Sequence, residues 1–264
     1  MKVSIHAVGL VCPGIDNWSA AQPILQGLTR AESRPVVIPV YARLPATERR
    51  RVGVSVKLAL AVAEQLFANS TVSPAEAATI FTSSGGDGEN CHILCEALAQ
   101  AQPSLSPTRF TNSVHNAPAG YWGIAAQSRP ASSSLCAYDA SFAAGLIEAA
   151  VYAQYEPEPV ALIAYDIAYP EPLNGKRHIS SPAAIALLLT KPGKLPAPMA
   201  TMELMGYEDG AATLLDDAHL ETLRRGIPAA RGLPLLVALS RRRPGVLKLG
   251  GNRDQVLPIE LSFE

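Results

Sequence analysis

The chain has 264 residues, 48% of them apolar, and a formal net charge of -1. That length fits one large domain or two small ones, with ample material for a core. The balanced charge gives no electrostatic case for nucleic acid or an anionic membrane, and four Cys make no disulfide framework in a chain this long.

In chain order, Val3–Val11 is an apolar run closed by Cys12-Pro13-Gly14, which predicts a strand entering a loop. Trp18–Leu28 carries apolar residues at helical spacing. Val36–Val40, with Pro35 before it and Pro39 within it, reads as an extended edge segment. Thr47 stands in a loop where it could cap the next helix, Val54–Phe67, whose Val54, Leu58, Val62 and Leu66 share one face. Ser73–Glu76 makes a helical turn, Ala78–Thr82 a buried strand, and Glu89–Gln100 a helix after the small-residue loop Ser83–Gly88.

Phe110–Gln127 reads as a strand or loop followed by a short helix. Ser132 onward is an apolar strand, a one-residue turn at Tyr138-Asp139, and a helix Ala140–Tyr152 of mostly small residues. That is the shape of a nucleophile elbow, which raises one side chain above the end of a buried helix. Val160–Ile167 and Ala183–Thr190 are buried strands. Strands and helices alternate, which argues for a layered α/β domain. After Pro192 come a linker, a strand over Met199–Tyr207 and a helix from Asp216/Asp217 to Arg225, with charges ordered as the helix dipole favours. Pro234–Leu239, Gly245–Leu249 and Val256–Phe263 read as three short strands. Arg241–Arg243 reads as a solvated turn.

Residue chemistry offers few sites. Cys91 and Cys95 share a helix face, but no His/Cys pair follows at zinc spacing, so no metal is expected. Ser83–Gly88 lacks the Lys and spacing of a phosphate loop and reads as a tight turn. No cofactor motif is present. Cys136 falls on a strand expected to be buried, where a free thiol behaves as a small hydrophobe. No leader and no apolar span of roughly 18 residues is visible, so a soluble, cytoplasmic chain is expected.

Several stretches resemble the β-ketoacyl synthases: Val8–Gly14, Glu48–Arg51 leading into Lys57–Ala61, Phe81–Gly86, and above all Ala137-Tyr138-Asp139-Ala140-Ser141-Phe142. Asn112–Ala117 with Gly120-Tyr121-Trp122 is similar to a short synthase-like branch from aryl polyene pigment systems. The resemblance implies a thiolase-like α/β/α layering. It places a synthase N-terminal-like domain at residues 1–192 and a C-terminal extension, packed on the same domain, at 193–264. It implies that the catalytic cysteine position is taken by Asp139, with Cys136 three residues too early. Nothing in residues 193–264 resembles the second half's histidine loops, so that half is expected to be reduced or absent.

The resemblance further implies a chain-length-factor-like subunit, not catalytic alone. Its partner would be a full-length β-ketoacyl synthase in a heterodimer, with acyl carrier protein engaged indirectly. It would shape the acyl tunnel in aryl polyene or related polyketide and fatty-acid-like biosynthesis. Asp139 is expected as a helix N-cap. The expected interface residues are Asn112, His115, Asn116, Tyr121, Trp122, Cys136 and Tyr138. In that fold the helix after the elbow lies between two sheets, and a half-sized synthase leaves one sheet face uncovered. Two alternatives remain: a divergent acyltransferase or thioesterase using Cys136 or Asp139 with His115, and a homodimeric module that binds acyl carrier protein.

Overall fold

A computed structural model describes residues 1–263. Its strands are β1 (Lys2–Val11), β2 (Ala78–Thr82), β3 (Ser132–Leu135), β4 (Val160–Asp166), β5 (Ala183–Thr190), β6 (Ala200–Leu204), β7 (Glu208–Asp209), β8 (Gly245–Gly250) and β9 (Gln255–Ser262). All belong to one mixed sheet, ordered β3-β2-β4-β5-β1-β6-β9, with β7 and β8 also pairing β9. β2 runs parallel to β3 and β4; β4, β5, β1, β6 and β9 are successively antiparallel. Every residue of β2, β4 and β5 is buried, as their unbroken apolar runs require.

Both faces of the central strands β2, β4, β5 and β1 are covered. On one face α7 (Ser141–Tyr155) packs on β2, β4 and β5 and meets a 3-10 turn at Pro228–Gly232. α1 (Trp18–Leu25) and α9 (Leu233–Ser240) complete that side. Gly145 lets α7 approach the sheet: a Cβ there would lie 2.7 Å from Thr82 Cγ2 and 2.8 Å from Leu162 Cδ1. On the opposite face lie α3 (Val54–Ala68) and α6 (Ala117–Ala126). The remaining helices are α2 (Ala46–Arg49), α4 (Gly88–Leu98), α5 (Pro107–Thr111) and α8 (Ala218–Gly226).

Two expectations about layering are corrected here. α7 lies on a single sheet rather than between two, and no whole face stands uncovered. α7 and the α8–α9 segment cover one face and α3 and α6 the other over β2, β4, β5 and β1, while Glu203, Glu260 and Ser262 leave the second face open at the β6–β9 end. Beyond Pro192, β6, β8 and β9 extend the sheet begun by β1.

Local differences have simple causes. Pro234–Leu239 is helical, within α9. An apolar run this short carries no periodicity that separates a buried strand from a buried helix, and Pro234 in the first turn favours helix initiation. Val36–Val40 joins no strand: Pro35 and Pro39 offer no N–H to a ladder. Thr47 sits inside α2, and α3 starts instead after Gly53. Phe110 and Thr111 end α5, where a strand was one of the readings. Arg241 is not free in solvent; its Nε donates to Leu25 O at 2.8 Å.

Trp122 is 1% exposed, stacked against Phe67 at 5.4 Å and Tyr41 at 6.1 Å between ring centres. It therefore cannot anchor a partner, as had been expected from its place in the sequence. Trp122→Ala should lower unfolding stability by about 3–5 kcal/mol, read from urea midpoints. A cost below about 1 kcal/mol would contradict the packing described here.

Candidate functional site: an elbow closed by two arginines

β3 ends at Leu135, and Cys136-Ala137 lead into a 3-10 turn, Tyr138–Ala140, that opens α7. Tyr138 takes φ 53°, a left-handed backbone that costs a bulky residue about 1–3 kcal/mol. Ser141 holds that conformation. Its Oγ accepts from Ala137 N at 3.0 Å and shares its proton between Tyr138 O and Ser83 O, at 2.7 and 2.9 Å. The Arg177 guanidinium lies 3.4 Å above the Tyr138 ring.

Asp139 follows Tyr138 in this turn. Its Oδ2 accepts from Arg231 Nη2 at 2.9 Å, and its Oδ1 lies 3.0 Å from Arg177 Nη2. It accepts no backbone N–H of α7. The cap expectation is thus corrected: the Ala140 N–H at the mouth of the helix is met by Asn252 Oδ1 at 3.2 Å, from the β8–β9 turn. The two arginines take both carboxylate oxygens away from capping. Arg231 also donates to Gly251 O at 2.7 Å, so one side chain ties the elbow to that same turn.

Beneath the elbow lies Asp166, the last residue of β4 and 4% exposed. It accepts from Ser84 N (2.8 Å), Ser84 Oγ (2.7 Å) and Ala229 N (2.8 Å). Burial pushes its carboxyl up to about 6 against these hydrogen bonds and the Arg177 charge, all of which favour the ionised form. Arg177, Arg231 and Asp166 were not singled out from sequence. A carboxylate closing an all-apolar strand was the one available signal.

The structure brings Cys136 and His115 together, Sγ to Nε2 at 3.6 Å. Cys136 is exposed rather than buried, because β3 is the edge strand and the chain has left the sheet at that point. Local desolvation nevertheless raises the thiol pKa. The thiolate is the nucleophile, so this shift works against reactivity at neutral pH.

The other expected interface residues divide. His115, Asn116, Cys136 and Tyr138 are exposed near the free edge of β3. Asn112 is 7% exposed and internally engaged: its Nδ2 donates to Arg51 O at 2.8 Å, and its Oδ1 accepts from the half-buried Tyr121 hydroxyl at 2.8 Å. Asn112 therefore braces α5 and α6 against the chain after α2 and is not open to a partner. Exposed apolar side chains that sequence reading passed over flank the same region: Phe110, Val114 and Ile124.

Two measurements probe the elbow. Asp139→Ala strands Arg177 and Arg231, whose side chains are 16% and 20% exposed, and should cost about 1–3 kcal/mol. A cost near zero in urea unfolding would mean that the ion pairs contribute nothing. Asp166 supplies a pH signature. Its folded pKa of about 6 exceeds the ordinary 3.8, so its stabilising contribution is complete below pH 3.8 and is lost as pH rises through 6. Asp166→Asn cannot ionise and should flatten that fall across pH 4–7. A variant with the wild-type slope would show that another group is responsible.

Comparisons with known proteins bear on this geometry. The sequence profile of the β-ketoacyl synthase N-terminal domain matches residues 17–227. No curated protein matches the chain. Among solved structures, a chain from the complex of the ketosynthase ApeO with its chain length factor ApeC, from Xenorhabdus doucetiae, superposes with a TM-score of 0.75 at 22% identity. That alignment covers 98% of this chain and 99% of the other. The ishigamide ketosynthase/chain length factor gives 0.74 at 11% identity, covering 99% of each. A β-ketoacyl synthase from Burkholderia phymatum STM815 gives 0.59 at 12% identity, covering 91% of this chain and 70% of the other. The fold they share is the thiolase-like one, and the chain belongs to the β-ketoacyl synthase N-terminal domain family.

Proposed function

We propose that the chain is a non-catalytic, chain-length-factor-like partner of a full-length β-ketoacyl synthase. In that role it walls one side of the acyl tunnel in aryl polyene or related polyketide and fatty-acid-like biosynthesis. The observation that carries the reading is Asp139, a carboxylate at the elbow with each oxygen held by an arginine. Acyl transfer to a carboxylate would give a mixed anhydride, far higher in energy than a thioester. Both oxygens are also committed to ion pairs, which lowers their nucleophilicity further.

The partner surface in this reading is the edge of the sheet. β3 has a neighbour on one side only, which leaves one row of backbone groups free to pair. His115, Asn116, Cys136 and Tyr138 stand beside that edge, with Phe110, Val114 and Ile124 as apolar anchors in place of Trp122. The resemblance to ketosynthase/chain length factor complexes in the solved structures supports a synthase as occupant. So does the complex of a type II polyketide ketosynthase with its acyl carrier protein, which superposes at 0.75 with 12% identity. Acyl carrier protein would be engaged indirectly, through the synthase, in the cytoplasm.

One observation favours an enzymatic alternative: the 3.6 Å contact of Cys136 with His115 pairs a thiol with a possible base. The raised thiol pKa opposes it. A homodimeric module that binds acyl carrier protein is the third reading.

Co-expression with the ketosynthase encoded beside this chain should give a 1:1 complex by size exclusion with light scattering. A stable monomer or homodimer that ignores that synthase would overturn the proposal. Offered acyl-loaded carrier protein, the chain alone should gain no acyl mass, and Cys136→Ser should leave product formation by the complex unchanged. An acyl adduct on Cys136 in intact-mass analysis would favour the enzyme.

A further inference from the structure

Arg231 borders a second feature, separate from the elbow. A cleft of about 230 Å³ opens between the end of α8, the end of β8 and the start of β9. Four arginines line it: Arg224, Arg225, Arg231 and Arg253. Gly210, Gly250 and Gly251 also line it, together with Ala212, Gln255 and Val256, and no carboxylate does. Arg224 is 7% exposed and Arg231 is largely buried, so these two form the floor; Arg225 and Arg253 are exposed at the rim.

The charges do not balance. Glu221 neutralises Arg224 from outside the cleft, with Oε2 accepting from Nε at 2.7 Å and Oε1 from Nη2 at 2.5 Å. Asp139 neutralises Arg231 and is itself shared with Arg177. Arg225 and Arg253 have no carboxylate within ion-pair distance among the described residues. Burial presses the Arg231 pKa below its ordinary value, and the nearby Arg224 and Arg177 add repulsion. The cluster therefore carries more guanidinium than carboxylate charge, and a bound dianion turns the remaining repulsion into attraction.

We propose that this cleft is a binding site for a small phosphate-bearing ligand. The floor arginines and the rim arginines approach from different elements, α8, the 3-10 turn and the β8–β9 turn. Planar guanidinium forks converging from several directions suit the oxygens of a tetrahedral anion better than a single flat carboxylate. The cleft is small and concave, with room for one phosphate group and its waters rather than a length of acidic peptide. The ligand is either free phosphate or a phosphate group on a larger carried molecule.

The test is titration of the full chain with inorganic phosphate, pyrophosphate and coenzyme A at low ionic strength. Binding is followed by calorimetry and by the thermal midpoint, with sodium chloride at matched ionic strength as control. At least one of these ligands should bind and raise the midpoint, and Arg225→Gln with Arg253→Gln should weaken binding at least tenfold. Without ligand, the double variant should be as stable as the parent, because it relieves repulsion. Tighter binding of coenzyme A than of pyrophosphate assigns the site to a phosphorylated carrier; equal or weaker binding assigns it to the phosphate alone. The proposal fails if none of the three binds or if chloride raises the midpoint equally. It also fails if the double variant binds as the parent does, or if that variant instead loses stability or its synthase complex.

Discussion

The carboxylate of Asp166 joins three parts of the chain that are far apart in sequence. It closes β4, holds the loop after β2 through Ser84, and holds the C-terminal 3-10 turn through Ala229. An unpaired carboxylate at 4% exposure would be costly; its three donors offset part of that cost, and burial still raises the carboxyl pKa to about 6. With the Pro228–Gly232 turn fixed in this way, Gly232 lies against the Phe142 ring, where a Cβ would come within 2.3 Å of an aromatic carbon. Arg231, in the same turn, then has its backbone placed to reach both Asp139 and Gly251 O. The elbow depends on a residue that never touches it.

The elbow has the strand–turn–helix shape of a nucleophile turn, with both oxygens of Asp139 held in ion pairs. Tyr138 carries the strained backbone, and Asp139 occupies the position above α7 where a helix N-terminus favours negative charge. In an acyl-transfer enzyme that field would serve a thiolate. Here it acts on a carboxylate already neutralised by Arg177 and Arg231. Cys136, the nearby thiol, sits before the turn, and desolvation raises its pKa. The strain at Tyr138 is compensated by the Ser141 hydrogen bonds and by the Arg177 guanidinium over the ring.

The C-terminal region accounts for how a chain of this length buries its sheet. β6 and β9 lengthen the sheet beyond β1, and the segment from α8 through α9 covers the face on which α7 lies. The β8–β9 turn then returns to the elbow through Asn252 and Gly251. At the other end β3, with its small and polar Ser132–Ser134, pairs only β2 and closes the sheet as an edge strand.

Much of this was legible in the sequence, for physical reasons. Unbroken apolar runs declared β4 and β5, the 3.6-residue spacing of Val54, Leu58, Val62 and Leu66 declared α3, and the strand–turn–small-residue pattern located the elbow, while the choice of Asp139 within it came from the family resemblance. These are local signals, set by the periodicity of one element. The rest was settled by contacts between elements. Whether Asp139 capped a helix or paired with arginines turned on Arg177, from the β4–β5 connection, and Arg231, from the C-terminal turn, which lie 38 and 92 positions away. Whether Trp122 faced a partner or the core turned on Tyr41 and Phe67 arriving beneath it. Whether Pro234–Leu239 became strand or helix turned on the face it had to cover, since burial on all sides erases the pattern by which one chain segment reveals its own geometry.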